Sequence, residues 1–243
     1  MKLNKAFTLA EILIVLMVIG ALAALTLPNL MKGVTAAQNK AAYQKAYAAI
    51  SNIAAVEKVG GQLPSSAKTA QGMSDFFNAL NSNLSVKEYA SSDTYPISSS
   101  GTLTADNTKT KVQYGGFTYG EGSEELANTT PTVGTFSPWI ITDDGIAYTL
   151  TAISGASCSS KTVINDAKST ADTLTKTCLL IVVDVNGLNK TPNKLETQIG
   201  ELKAENKMVT FDGDRFYIFL GSDGVAAGPK KYTVSGRIMA DLK

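Results

Sequence analysis

Histidine is absent from this chain of 243 residues. Since histidine is the commonest general base among catalytic side chains, its absence excludes Ser-His-Asp and Cys-His chemistry. Its absence also removes the commonest metal ligand. The sequence contains neither a G-x-S-x-G elbow nor a phosphate-binding loop, and Glu124-Glu125 is better explained as solvated surface than as a catalytic pair. We therefore predict that the chain is not an enzyme.

Excess charge and cysteine are also scarce. The 22 basic residues nearly balance the 21 acidic ones, which gives a net charge of +1. A nucleic-acid-binding protein would carry a basic patch, so no nucleic-acid partner is indicated. The two cysteines, Cys158 and Cys178, would form a disulfide in an exported protein and remain buried thiols in a cytoplasmic one. The N-terminus argues for export and favours the disulfide.

A long apolar run follows the first few residues. Lys2 and Lys5 precede it, and residues 12–31 contain no charged side chain. A helix of about 20 residues spans roughly the 30 Å of a bilayer's hydrocarbon layer. The leading lysines favour a cytoplasmic N-terminus, although Lys32 and Lys40 on the far side weaken that asymmetry. We predict a membrane span with the remainder of the chain exported.

Two general interpretations of this run remain open, a secretory signal peptide cut near Ala23 or Ala24 and a simple membrane anchor. Neither explains Glu11, a carboxylate at the start of the run. Within an apolar span an ionisable group is costly and marks a function with a partner. The alternative is a side chain that reaches the headgroups from the helix end.

The stretch KAFTLAEILIVLMVIGALAALTLP resembles the N-terminus of type IV prepilins and type II secretion pseudopilins. The resemblance implies that a short basic leader ends at Ala6 and that the mature chain begins at Phe7, with a methylated amine. Glu11 takes the place of the family's acidic residue at the fifth mature position. Gly20 and Pro28 match positions that loosen the helix. Ala6 departs from the pattern, because the family more often has glycine there.

The resemblance also implies a mechanism. A prepilin peptidase would cut after Ala6 and remove Lys2 and Lys5, so a net charge of +1 less two lysines becomes −1. The new amine on Phe7 would neutralise Glu11 of a neighbouring subunit, since a buried carboxylate is strongly destabilised until it is paired. The implied partners are other pilin or pseudopilin subunits, the peptidase, an assembly ATPase, a platform protein and the membrane.

Residues 30–59 continue as an alanine-rich helical pattern that Gly60-Gly61 is expected to end. Apolar side chains recur on one face of it. This face comprises Tyr43, Tyr47, Ile50, Ile53 and Ala54. Pro28 either ends the span or bends a helix that continues, and the resumed pattern favours the second.

The remaining sequence has the short, β-branched runs and the turn residues of a sheet. The predicted elements are a helix over 73–84, strands over 139–142, 146–150, 179–185 and 216–220, turns at 143–145 and 221–224, and a loop over 91–110. We predict an α+β, pilin-like fold, in which the C-terminal half of the long helix packs on an antiparallel sheet. A lollipop shape with a single head domain follows from that prediction.

A calcium site is one interpretation of the run after the buried strand. Asp184, Asn186, Asn189 and Asn193 could supply oxygens, and the resemblance permits calcium because some major pseudopilins bind it in C-terminal loops. The spacing does not match an EF-hand, since Leu188 occupies its fifth position. We favour an Asx- and Gly-rich turn, and otherwise predict no cofactor.

These inferences divide the chain into a leader (1–6), a transmembrane and assembly segment (7–31), an amphipathic half-helix (32–60) and a globular head (61–243). The predicted function is that of a filament subunit, made as a single-pass protein of the cytoplasmic membrane with a periplasmic or extracellular head. The alternatives are a membrane-anchored binding module that does not polymerise and an exported enzyme that uses carboxylates only.

Overall fold

The computed structural model describes residues 8–61, 63, 70–91, 113–114, 117–118, 132–133, 136–154, 156–168, 170–190, 193, 195–196, 213–230 and 233–240. The chain forms two compact units, Met1–Gln38 and Asn39–Lys243. The predicted leader residues and nearly all of the predicted loop over 91–110 lie outside the described residues.

Helix α1, Leu9–Val59, belongs to both units. It continues through Pro28, as the resumed helical pattern predicts, although proline cannot donate a backbone hydrogen bond to the preceding turn. The predicted stop is confirmed: Gly60 N–H donates to Val56 O at 3.0 Å, and Gly61 has a φ of +71°. A positive φ suits glycine because a Cβ atom is disfavoured there.

The second unit is an α+β domain around one antiparallel sheet. Its strands lie in the order β1-β5-β6-β7-β8-β9, β4 pairs with the end of β6, and β2 and β3 form a separate pair. The helices are α2 (Ala70–Asn83), α3 (Lys161–Asn165), α4 (Thr170–Lys176) and α5 (Val234–Ala240). The strands are β1 (Val86–Ala90), β2 (Gln113–Tyr114), β3 (Phe117–Thr118), β4 (Thr132–Val133), β5 (Trp139–Thr142), β6 (Ala147–Ser154), β7 (Leu179–Asp184), β8 (Arg215–Gly221) and β9 (Gly224–Ala226).

The central strand β7 is buried on both faces of the sheet. Because side chains alternate along a strand, Ile181 joins the apolar cluster that contains α1 and α2 residues, whereas Val182 joins the cluster on the opposite face. Ile164 of α3 and Leu174 of α4 belong to that second cluster. Helices therefore cover both faces, which explains the unbroken apolar sequence of β7.

The predicted amphipathic face of α1 is confirmed. Tyr43, Ile50 and Ala54 are fully buried in the second unit, and Ile53 is nearly so. Three side chains on this face, four residues apart, also donate to backbone carbonyls of the sheet domain. The pairs are Asn39 to Gly213 at 3.2 Å, Tyr43 to Tyr217 at 2.9 Å and Tyr47 to Val225 at 3.0 Å.

The β5–β6 hairpin forms with the predicted Asp-Gly turn. Gly145 N–H donates to Thr142 O at 2.9 Å, and Gly145 has a φ of +84°. This is the three-residue hairpin connection in which the last turn residue is left-handed. Lys45 Nζ lies 2.7 Å from Asp144 Oδ2, so an ion pair joins α1 to this turn.

Candidate functional site

One segment stands out within the part of the chain that the structure describes. Leu9–Thr26 is long and apolar enough to cross a membrane, with a mean hydropathy of 2.5. Its large side chains are exposed, from 47% at Ile12 to 81% at Leu9. Water-soluble proteins rarely expose a continuous apolar surface of this size, so a bilayer or another protein is expected to cover it.

Thr8 and Glu11 form a capping box at the start of α1. The Thr8 N–H and the Thr8 hydroxyl each donate to Glu11 Oε2 at 2.8 Å, and Glu11 N–H donates to Thr8 Oγ1 at 3.3 Å. This reciprocal arrangement satisfies amides that have no partner inside the helix. Sequence reasoning missed Thr8, although the T-x-x-E spacing before an apolar run is its signature.

The capping box gives Glu11 a structural task as well as the predicted assembly task. Its donors are a neutral amide and a neutral hydroxyl, so they satisfy hydrogen-bonding capacity without cancelling the carboxylate charge. An amide side chain at the same position could accept the same hydrogen bonds. Glu11→Gln therefore removes the charge and keeps the cap, whereas Glu11→Ala removes both.

The other predicted residues of the N-terminal segment are less informative. Ala6 and Phe7 lie outside the described residues, and so does the Pro28 side chain. Gly20 lies within α1, and a Cβ built on it would meet no atom within 4 Å. No contact with the residues that the structure describes therefore requires glycine at this position.

Cys158 and Cys178 are joined by a disulfide, with a Cα–Cα distance of 4.3 Å. Cys178 precedes β7 and is fully buried, and Cys158 is 8% exposed. The cross-link closes a loop that contains α3 and α4. Disulfides persist in oxidising compartments, so this bond is consistent with an exported domain.

A buried ion pair lies at one end of the central strands. Arg215 Nε donates to Asp184 Oδ2 at 2.8 Å, and Gly187 N–H donates to Asp184 Oδ1 at 2.9 Å. Burial raises the pKa of Asp184, and the adjacent Arg215 guanidinium opposes that rise. The guanidinium also stacks 5.2 Å from the centre of the Trp139 ring, which adds a cation–π contact.

Of the predicted calcium ligands, Asp184 belongs to this pair and Asn193 contacts Arg215. Asn193 N–H donates to Asp214 Oδ2 at 2.8 Å, while the Asn193 Oδ1 accepts from Arg215 at 3.1 Å. Arg215 and Gly187 thus each donate a hydrogen bond to one oxygen of Asp184. The Arg215 guanidinium neutralises the negative charge of this carboxylate. Asn189 is exposed and Asn186 half-buried. Among the described residues no group of three or more His, Cys, Asp or Glu side chains could hold a metal.

Sequence reasoning also missed Glu196. This carboxyl group is 2% exposed and accepts hydrogen bonds from β8 and α5. Glutamate usually lies on the surface, and no motif around it signals burial.

No protein-family model matches this chain, and neither a curated protein nor a solved structure matches it. A functional assignment therefore rests on the chemistry of the chain's own residues. The N-terminal helix, with its capped carboxylate and exposed apolar surface, is the strongest candidate.

Proposed function

We propose that this chain is a filament subunit of the type IV pilin and pseudopilin kind, held in the membrane before assembly by the first part of α1. The observation that carries the proposal is the FTLAE opening, in which Glu11 lies in the first turn of an apolar helix that is exposed over Leu9–Thr26. A bilayer and the core of a filament would each cover this surface. Both environments remove its apolar area from water, so transfer between them conserves the hydrophobic contribution.

In the filament, Glu11 selects the position of the neighbouring subunit. A carboxylate surrounded by apolar helices needs a cationic partner, and Thr8 supplies only neutral donors. The amine of Phe7 on the next subunit, freed by cleavage after Ala6, would be that cation. Pairing at one fixed distance along the helix would then set the axial register of the assembly.

The proposal includes a processing and export pathway. A prepilin peptidase cuts the leader at the cytoplasmic face, and an ATPase with a platform protein moves the subunit from the bilayer into the filament. The α+β domain lies outside the cytoplasm, where Cys158 and Cys178 are oxidised.

A substitution series at Glu11 tests the proposal. Glu11→Ala, Glu11→Gln and a control, Glu88→Gln on the exposed face of β1, are expressed in the native host. Membrane insertion is measured by fractionation, and filaments are collected by shearing and examined by electron microscopy. We expect all three variants to insert, the control to assemble, and both Glu11 variants to lose filaments at least tenfold.

The Gln variant is decisive because it keeps the helix cap. Filaments at wild-type level from Glu11→Gln would show that the charge has no role in assembly. A wild-type chain that inserts but never appears in sheared filaments would instead favour the anchored binding module.

A further inference from the structure

Glu196 contacts two elements of the second unit, strand β8 and helix α5, through buried hydrogen bonds. Its N–H donates to Arg215 O at 2.8 Å, which places it beside β8. Its Oε1 accepts from Tyr217 N–H at 3.0 Å, and its Oε2 accepts from Ser235 N–H in the first turn of α5 at 2.7 Å. The side chain therefore holds α5 to the sheet.

The hydroxyl of Ser235 lies within hydrogen-bonding distance of two acceptor oxygens. Ser235 Oγ lies 2.8 Å from Glu196 Oε1 and also 2.8 Å from Ala227 O, in the segment that follows β9. A serine hydroxyl has one proton, so it can donate to only one of these two acceptors. The Tyr43 hydroxyl, which donates to Tyr217 O, interacts with the same serine side chain.

A neutral Glu196 satisfies both contacts at once. Its carboxylic O–H then donates to Ser235 Oγ, and the Ser235 hydroxyl donates to Ala227 O. When Glu196 is ionised, Ser235 must turn its only proton to the carboxylate, and its hydrogen bond to Ala227 is lost. Ionisation also places an unpaired charge in a buried position, which is costly.

We propose that Glu196 is a proton-operated latch, which as a neutral acid holds α5 against the segment after β9 and loosens this attachment when it ionises. This inference goes beyond the proposed function and does not depend on it. Burial raises the pKa of Glu196 to about 7, while hydrogen bonds from Tyr217 and Ser235 oppose the rise. The latch would therefore operate near neutral pH.

Among the described residues that interact with Glu196, none supplies a counter-ion to its carboxylate. Tyr43 from α1 and Tyr217 from β8 face it, and burial raises the pKa of both phenols, so they stay neutral. Arg215 directs its guanidinium to Asp184. Arg237, the charged residue of α5, is half-buried and follows the turn that Glu196 contacts.

The direction of the pH effect follows from linkage. The folded state keeps a proton on Glu196 between its ordinary pKa, near 4.5, and its raised pKa of about 7. The unfolded state loses that proton over the same range. Protonated Glu196 therefore contributes its full stabilisation below the ordinary pKa, and this stabilisation falls as pH rises towards 7. The unfolding equilibrium constant should increase on the order of 10²-fold between pH 5 and pH 8.

The experiment compares the full-length chain, Glu196→Gln and the surface control Glu88→Gln in detergent micelles. Unfolding in denaturant is followed by the fluorescence of Trp139, the single tryptophan, which is fully buried. Glutamine mimics the neutral acid, so Glu196→Gln should lose this 10²-fold pH dependence, while the control should keep it. An unchanged pH dependence in Glu196→Gln would overturn the proposal.

A second measurement uses the wild-type chain, so its result does not depend on whether the variant folds. Carboxyl carbons of glutamate are labelled with ¹³C, and their resonances are followed by NMR from pH 4 to pH 9. One glutamate should titrate near pH 7, with loss of hydrogen-exchange protection in α5 at the same pH. If every glutamate titrates below pH 5, the proposal is wrong.

Discussion

At the scale of single residues, three carboxyl groups in this chain occupy three different environments. Glu11 is exposed and receives neutral donors from Thr8. Asp184 is buried against a guanidinium, and Glu196 is buried among neutral donors. Only the ion pair of Asp184 is complete within the described structure; pairing of Glu11 by a neighbouring subunit and a change of protonation at Glu196 are the two roles proposed above.

The Asp184–Arg215 pair predicts a large loss of stability when one partner is removed. Asp184→Asn keeps the shape of the side chain but leaves the buried guanidinium without its counter-charge, which should cost about 3 kcal/mol or more of unfolding free energy. Denaturant unfolding followed by Trp139 fluorescence measures the change, because Trp139 stacks on Arg215. Asp143→Asn, at an exposed turn position, is the matched control.

An unfolding midpoint of Asp184→Asn equal to that of the control would contradict the role given to Arg215. The same assay tests the calcium interpretation of this turn. Because the Arg215 guanidinium already neutralises the buried Asp184 carboxylate, neither calcium nor a chelator should move the midpoint. A clear shift with calcium would favour the metal site instead.

At the scale of elements, α1 is one continuous helix with two kinds of surface. Its first part is apolar and exposed, and from Asn39 it belongs to the sheet domain. There the buried side chains of α1 pack against one face of β7 and β8. Asn39, Tyr43 and Tyr47 also hold the helix in place by donating to backbone carbonyls. Apolar packing stabilises this contact, and the polar donors fix its register.

Packing of α1 on the sheet predicts a sharp contrast between two positions. Ile50 is fully buried, so Ile50→Ala should lower the unfolding free energy by about 2–5 kcal/mol through lost contacts and a cavity. Val56 lies on the same helix and is 61% exposed, so Val56→Ala should change it by less than about 0.5 kcal/mol. Denaturant titration checks both, and equal effects would contradict the packing.

The elements that could be predicted from the sequence are those with strong local signals. The long helix, its Gly60-Gly61 stop, the Asp-Gly hairpin and strand β7 carry periodicity or turn chemistry within a few residues. The short helices α3, α4 and α5 were missed, because helices of this length depend on tertiary packing. The order of the strands could not be predicted from local patterns either, because pairing brings together segments that are distant in the sequence.

The residues of the candidate site divide in the same way, into those with a local sequence signal and those that depend on the fold. Glu11 could be found because an ionisable side chain stands out at the start of an apolar run. Asp184 was found as a polar residue at the end of a strand, but its pairing with Arg215, some 30 residues later, depends on the β7–β8 register. Glu196 gave no signal, since burial of a glutamate is a property of the fold.

At the scale of the whole molecule, the two units have different requirements. The first presents an apolar helix that needs a bilayer or neighbouring helices to cover it. The second is an α+β domain with its own apolar clusters, a disulfide and internally paired charges. This division fits the proposed filament subunit, in which the first part of α1 would move from the bilayer to the filament while the α+β domain keeps one structure.

N-terminal sequencing with intact-mass analysis of the protein from its native membrane tests the central claim most directly. The account predicts a mature chain that begins at Phe7, with the Cys158–Cys178 disulfide intact and a methyl group on the new amine. A chain that still begins at Met1, or one that is cut near Ala24, would contradict processing as a prepilin and with it the proposed filament subunit.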